Sequence, residues 1–414
     1  MFAIVVVVFL LVFVTIILGQ LEKRKVVDSS GEQEQVVHLP KDWLYTEDTA
    51  SGTVYRFNDK YMLRRSFPVT KAAGTVRIVL TGESFMMGSP WVIQDGNPNI
   101  TGGIPDWLQA EFAWRFPSAR FEIINAAVGA QNSTRVREIV ERMVQVEPDL
   151  MIVATGNNEG YVPPSRVNEL LREWVVYRVL KKALIRPPRI DERSFFTPQD
   201  PETKKIEDQF QENIRSMIAA CREAKVPLLI CTLPVNWTYR GPDPGVHGVS
   251  GKPEADPHLQ RGRELLKAGD WNGAAQELSQ AAHQGYAALY LAEIQERLGQ
   301  IDMARQLYRL HVQLVPNNRT RPSFNEFVRR TTKQQGVPLV DFERAADRLA
   351  GTAIVPPEFY WDYCHLTKHG YYQMMLEIEA ELLRRRLLPA TLGNPQPAPT
   401  HDELVARDQK LAGQ

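Results

Sequence analysis

Apolar and polar positions alternate along this chain in blocks whose periods change. Five short apolar runs rich in β-branched residues read as buried strands: Val76–Leu80, Phe121–Asn125, Leu150–Ala154, Val226–Cys231 and Val337–Asp341. Between them the spacing is helical. Val136, Ile139, Val140, Met143 and Val144 line one face of residues 134–146, and Phe210, Ile214, Met217, Ile218 and Cys221 line one face of residues 206–224. Strand and helix in alternation predict an α/β domain built on a parallel sheet, with ligands expected beyond the carboxyl ends of the strands.

Two segments depart from that rhythm. Residues 1–18 read MFAIVVVVFLLVFVTIIL, apolar on every side except at Thr15. Eighteen such residues make a helix of about 27 Å, close to the ~30 Å hydrocarbon core of a bilayer, so residues 1–20 are predicted to be a transmembrane anchor. A cleaved signal peptide fits less well, because no basic residue precedes the run and no small-residue cleavage site follows it. Lys23, Arg24 and Lys25 follow the span, which by the positive-inside rule places the body in the cytoplasm. The second departure begins after a Gly-, Pro- and Asp-rich loop at 237–256. There Gly269-Asp270-Trp271-Asn272-Gly273-Ala274-Ala275 recurs loosely, 30 residues on, as Gly299-Gln300-Ile301-Asp302-Met303-Ala304-Arg305. The flanks are alanine- and leucine-rich, and the unit resembles a pair of tetratricopeptide-like helical hairpins, a surface that could take a protein partner.

The expected organisation is therefore an anchor (1–20), a juxtamembrane segment (21–73), a catalytic domain in two parts (74–256 and 319–388), a helical insert (257–318) and a Pro-rich disordered tail (389–414). The 414-residue length accommodates this. Lys+Arg and Asp+Glu both total 49. That balance gives no basic excess, so nucleic acid is not an expected partner. Three cysteines, Cys221, Cys231 and Cys364, offer neither a disulfide framework nor a paired metal spacing.

The candidate chemistry lies at the strand ends. Gly82-Glu83-Ser84-Phe85-Met86-Met87-Gly88 follows the first strand and exposes a serine beyond the sheet; a helix starting there would turn its backbone N–H groups toward developing negative charge. Near the other end of the chain, Asp362-Tyr363-Cys364-His365 spaces a carboxylate and an imidazole three residues apart. The carboxylate can then fix the ring tautomer while the far nitrogen accepts a serine proton. Such chemistry also needs preorganised donors for an oxyanion, which the Ser84 N–H, the Gly129 N–H and the Asn158 side-chain amide could supply.

Four blocks in order, Gly82-Glu83-Ser84 with Gly88, Gly129, Gly156-Asn157-Asn158-Glu159, and Asp362-x-x-His365 with Thr367 and Gly370, resemble the SGNH (GDSL) hydrolases. The resemblance implies a three-layer α/β/α fold, Ser84 as nucleophile, His365 as base then acid, Asp362 as its orienter, and Ser84, Gly129 and Asn158 as the oxyanion hole. It implies no cofactor and no metal, a small-molecule or glycan ester as substrate, and a membrane-anchored bacterial type whose catalytic domain is extracytoplasmic, against the charge rule. Glu83 and Glu159 stand where the family usually has Asp. Three alternatives remain at this stage. The same triad can transfer an acyl group to a sugar hydroxyl of the cell envelope. Asp362, His365 and His369 could face a metal from one helix side. The repeats could also serve a non-catalytic interaction protein carrying a decayed hydrolase domain.

Overall fold

A computed structural model describes residues 42–58, 62–63, 66–91, 102–159, 201–241, 256–281, 285–316 and 318–412. The predicted anchor lies outside the described residues, and among those residues no helix is long and apolar enough to cross a membrane. The described residues belong to one compact unit, within Leu39–Tyr161 and Ser194–Gln414.

In chain order the elements begin with three strands, β1 (Leu44–Thr49), β2 (Gly52–Phe57) and β3 (Ser66–Pro68). Then come β4 (Thr75–Gly82), α1 (Ser84–Met87), α2 (Ile104–Arg115), β5 (Arg120–Asn125), α3 (Ser133–Met143), β6 (Leu150–Ala154), α4 (Pro201–Glu223) and β7 (Leu228–Cys231). Four helices follow without a strand: α5 (Pro257–Ala268), α6 (Trp271–Gln280), α7 (Gly285–Arg297) and α8 (Ile301–Leu314). The chain returns with α9 (Pro322–Gln335), β8 (Leu339–Val340), α10 (Phe342–Ala350), α11 (Lys368–Arg385) and α12 (His401–Ala412).

The order β5-β4-β6-β7-β8 forms a sheet in which every pairing is parallel, as the alternation of elements predicted. Successive side chains of a strand point to opposite faces. Ile78 and Leu80 of β4 pack with Ile152, Leu229 and residues of α2, α10 and α11 in one buried core. Val79 joins Met151, Val153 and Ile230 with α3, α4 and α9 in another. Helices thus cover both faces, giving three layers. The five strands stand where the apolar runs placed them, although the last two are shorter, because Val226-Pro227 and Val337-Pro338 precede the paired residues rather than join them.

Two expectations need correction. The segment 21–73, read as a polar juxtamembrane stretch, holds an antiparallel sheet of β1, β2 and β3 from residue 44 onward, with Thr49 paired to Gly52 across a two-residue turn. Trp43, Leu44, Phe57 and Phe67 enter the second core, so its scattered aromatics are a packing face. The tail after residue 388, read as disordered, carries α12. Leu404 is 1% exposed in the first core, and Gln396 exchanges bonds with Arg115. Leu387, Leu388 and Leu392 ahead of α12 are partly buried against the same core. Asn132 caps α3, accepting from the Thr134 N–H.

Within the insert the two recurring blocks are the same local turn. Gly269 and Gly299 both adopt φ near +80° or +74° at a helix end, the left-handed conformation that glycine reaches without steric cost. The next residues, Asp270 and Gln300, start α6 and α8. The four helices enclose their own core, into which the strand-end Trp237 also projects, so this tryptophan packs rather than lines a pocket.

Candidate active site

Register puts the candidate residues at one edge of the sheet. Gly82 at the end of β4 pairs with Ala154 at the end of β6. A side chain at 82 cannot fit: a Cβ there would lie 2.1 Å from the Ala154 carbonyl oxygen. That close approach sets Ser84 beside the loop that follows β6. Ser84 opens α1, a single turn of four residues. The expectation of a helix dipole behind the serine is thereby reduced, since one turn aligns few peptide units.

Asp362 and His365 come from the loop before α11, whose first turn is capped by the Thr367 hydroxyl accepting from the Gly370 N–H. The loop is closed by its own motif. Asp362 Oδ1 accepts from the Cys364 N–H at 2.9 Å and the His365 N–H at 2.8 Å, while the Trp361 N–H donates to the His365 carbonyl at 2.9 Å. Asp362 Oδ2 then lies 2.7 Å from His365 Nδ1, and His365 Nε2 lies 2.8 Å from Ser84 Oγ. Serine, imidazole and carboxylate, 281 residues apart at their extremes, stand in one chain of hydrogen bonds. Burial raises the Asp362 carboxyl, but the bonds from the His365 ring and from the His365 and Cys364 amides outweigh it and hold the group below its ordinary value.

The loop Thr155–Glu159 is built differently. Glu83, 1% exposed, collects it: Oε1 accepts from the Thr155 hydroxyl (2.7 Å) and the Gly156 N–H (2.8 Å), and Oε2 from the Asn157 N–H (3.0 Å), the Asn158 N–H (3.2 Å) and Asn158 Nδ2 (3.1 Å). Asn158 Nδ2 also donates to the Gln131 carbonyl at 3.0 Å, so both of its amide hydrogens are engaged within the protein. Gly156 takes φ +139° against Thr320. Glu159 accepts from the Ser133 N–H at 2.7 Å and hydroxyl at 3.0 Å, tying the loop to the start of α3. Gly129 lies in the turn after β5, at the same sheet edge.

Both carboxyls that hold this loop, Glu83 and Glu159, are raised. For Glu83 burial is the main cause, partly offset by its donors Gly156, Thr155, Asn157 and Asn158. For Glu159 burial leads and the Glu83 charge adds to it, against the Ser133 donors and Arg321. Two neighbouring carboxylates in one enclosed site cannot both ionise as freely as in water.

Sequence reading placed no role on Glu83 beyond its departure from Asp. Its hub position left no signal except the burial expected of a residue between a strand end and Ser84. Trp91 was likewise missed: its Nε1 donates to the Leu366 carbonyl at 2.8 Å, and its ring lies 4.9 Å from that of Trp361, which is 58% exposed beside Asp362. Cys364 is buried and its thiol pushed up by that burial, consistent with a spacer. Among the described residues one cluster could present three metal donors, Asp362, Cys364 and His365, and His369 is not in it. His369 faces Gln373 instead, so the three-ligand helix face expected from Asp362, His365 and His369 does not form.

No family model matches this chain, and no curated protein matches it. Solved structures do. An acetylxylan esterase from Geobacillus stearothermophilus aligns at 11% identity over 74% of this chain and 94% of its own, with a TM-score of 0.38. A GDSL-like lipase from Bacteroides thetaiotaomicron aligns at 12% identity over 75% of this chain and 88% of its own, with a TM-score of 0.33.

Proposed function

We propose that this chain is a serine hydrolase of carboxylic esters, acting through an acyl intermediate on Ser84. The observation that carries the reading is the pair of His365 contacts, Nε2 to Ser84 Oγ at 2.8 Å and Nδ1 to Asp362 Oδ2 at 2.7 Å. A neutral imidazole held by a carboxylate on one nitrogen presents its lone pair to the serine on the other.

The steps follow from that geometry. Ser84 Oγ attacks the ester carbonyl carbon and passes its proton to His365 Nε2. The oxyanion is met by the backbone N–H groups of Ser84 and Gly129, and by Asn158 once one amide hydrogen turns from Glu83 or the Gln131 carbonyl. The bond to the alkoxy oxygen breaks and His365 returns its proton to the leaving alcohol. Water then attacks the acyl carbon, gives a proton to His365, and Ser84 Oγ departs and recovers it. Asp362 stabilises the imidazolium at both stages. No step calls on a metal or a cofactor. The substrate class is a small-molecule or glycan ester, an O-acetyl ester among them, and an acceptor sugar hydroxyl in place of water would make the same intermediate an acyltransferase. Attachment to a membrane through residues 1–20 and a protein partner at the helical insert belong to the same proposal.

The test is a burst assay with p-nitrophenyl acetate on the full chain beside Ser84→Ala. The expected result is one equivalent of nitrophenolate followed by turnover, both lost in the variant, and fluorophosphonate labelling at Ser84 only. Equal rates in both proteins and no labelling would end the hydrolase reading in favour of an interaction protein.

A further inference from the structure

Asp362 is also held from outside its own loop. Asn236, just past β7, donates from Nδ2 to the Asp362 carbonyl at 2.8 Å. The Asn236 carbonyl in turn accepts from Arg319 Nη1 at 2.7 Å. Arg319 follows the insert and is 1% exposed. Its other bonds run to the Pro316 carbonyl from Nε (2.9 Å) and, from Nη2, to the Val315 carbonyl (3.3 Å) and His311 Nε2 (3.2 Å).

His311 lies on α8 and is fully buried; its Nδ1 sits 2.9 Å from the Gly285 carbonyl at the start of α7. Burial and the neighbouring Arg319 charge push its ring down to about 3, against the pull of the Gly285 bond, so it is neutral. Nδ1 therefore carries the proton toward Gly285, and Nε2 is left as an acceptor for the guanidinium. A second line of contact leaves the same arginine. Its guanidinium lies 5.6 Å from the Tyr239 ring, Tyr239 lies 5.7 Å from Tyr363, and Tyr363 lies 5.6 Å edge-on to the His365 ring.

All four hydrogen-bond acceptors of this buried cation are neutral. A buried charge costs several kcal/mol to desolvate, and an apolar side chain of similar volume is often the more stable choice. Stability of the insert contact alone does not account for an arginine here. The fork of the guanidinium does: it grips the insert and the loop beneath Asp362 at once.

We propose that Arg319, braced by His311 of the helical insert, is a positioning residue for the triad, fixing Asp362 through Asn236. The insert is then a working part of the site. This rests on the hydrolase reading above. Spatial continuity is not coupling, and the experiment measures the coupling itself.

Asn236→Ala and Arg319→Lys are compared with Arg305→Ala in the full chain. Arg305 also ties α8 to the body, through the Gly351 and Ala353 carbonyls, but leads to no triad residue. Asn236→Ala and Arg319→Lys are expected to lower kcat on p-nitrophenyl acetate about 10- to 100-fold, the scale of a small misplacement of a catalytic group, with KM little changed. Arg305→Ala is expected to leave both constants near the parent, and the double variant to be no worse than the worse single one. The downfield proton signal of the Asp362–His365 hydrogen bond, identified by its loss in His365→Gln, should broaden in the first two variants and persist in Arg305→Ala. Parent kcat in folded Asn236→Ala, an equal loss in Arg305→Ala, or additivity in the double variant would overturn the proposal. If the parent itself neither turns over nor labels, the hydrolase reading falls, and the proton signal still decides whether Asn236 and Arg319 fix Asp362. Should Arg319→Lys not fold, Asn236→Ala and the signal carry the decision.

Discussion

The two sides of Ser84 are held by opposite means. On one side, Asp362 and His365 sit in a short loop that bonds to itself, partly open to solvent, with its charged group held below its ordinary range. On the other, the Thr155–Glu159 loop hangs from a single enclosed carboxylate, Glu83, and is pinned at its far end by a second, Glu159. On the proposed function the first arrangement is the reacting one, in which Asp362 orients the His365 ring and the ring faces Ser84 Oγ. The second is a scaffold in which the burial of charge is tolerated because five donors converge on it. On the proposed function, one serine is shared between a side suited to proton transfer and a side built for rigidity.

Breaking the reactive side should cost most. Asp362→Asn keeps the shape but can no longer hold the His365 tautomer, and an amide cannot stabilise the imidazolium. The expected loss in kcat on p-nitrophenyl acetate is about 10⁴-fold, with folding intact, since the loop bonds to Oδ1 survive in the asparagine carbonyl. A loss under tenfold would mean that His365 is not the base.

The scaffold side should break more gently. Glu83→Gln replaces one of two acceptor oxygens by an amide among five donors: the Thr155 hydroxyl, three backbone N–H groups and Asn158 Nδ2. Whichever way the amide turns, donors face donors, and the loop shifts. Losing an aligned oxyanion donor costs roughly 10²–10³-fold, and displacement of the whole loop should approach the lower figure. Glu83→Asp keeps both acceptors but withdraws them by one methylene, and should fall between the parent and Glu83→Gln. Parent-like kcat in Glu83→Gln would show that the loop carries no share of the chemistry.

The same contrast explains what the sequence made legible. The meeting of Ser84, Asp362 and His365 was readable because part of its logic is local: three-residue spacing between Asp362 and His365, and a serine after a strand. The parallel sheet was readable for a similar reason, since β6 is a continuous apolar run and the apolar run of β4 is broken only by Arg77. The scaffold side was not readable, because Glu83 looks like any charged residue until the loop folds over it. The contacts of Asn158 escaped too: the residue type announces an amide donor, but only the packing shows that Glu83 and Gln131 already hold it. The strands at 44–68 and the helix at 401–412 were missed because sparse aromatics and prolines spoke for loops, whereas tertiary burial of Trp43, Phe67 and Leu404 decided otherwise.

The smallest expected effect on rate, and the sharpest on pH, belongs to Glu159→Gln. The parent folded state binds protons at Glu83 and Glu159 more tightly than the unfolded chain, whose glutamates titrate near 4.5. A group raised on folding contributes stability that is fully present below that value and is lost as pH rises through the raised one, so the parent should lose stability from mildly acidic pH through neutrality. Glutamine removes one of the two titrations, the one that burial and the Glu83 charge push up. Its carbonyl can still accept from the Ser133 N–H, and the Ser133 hydroxyl can turn from donor to acceptor toward the new amide. Thermal unfolding followed across that range should therefore show a flatter decline for Glu159→Gln, with kcat at neutral pH within about threefold, below the ~1.4 kcal/mol that marks a tenfold change. Parallel declines in the two proteins would mean that Glu159 is not raised on folding, and that Glu83 holds its loop without any electrical cost shared with Glu159.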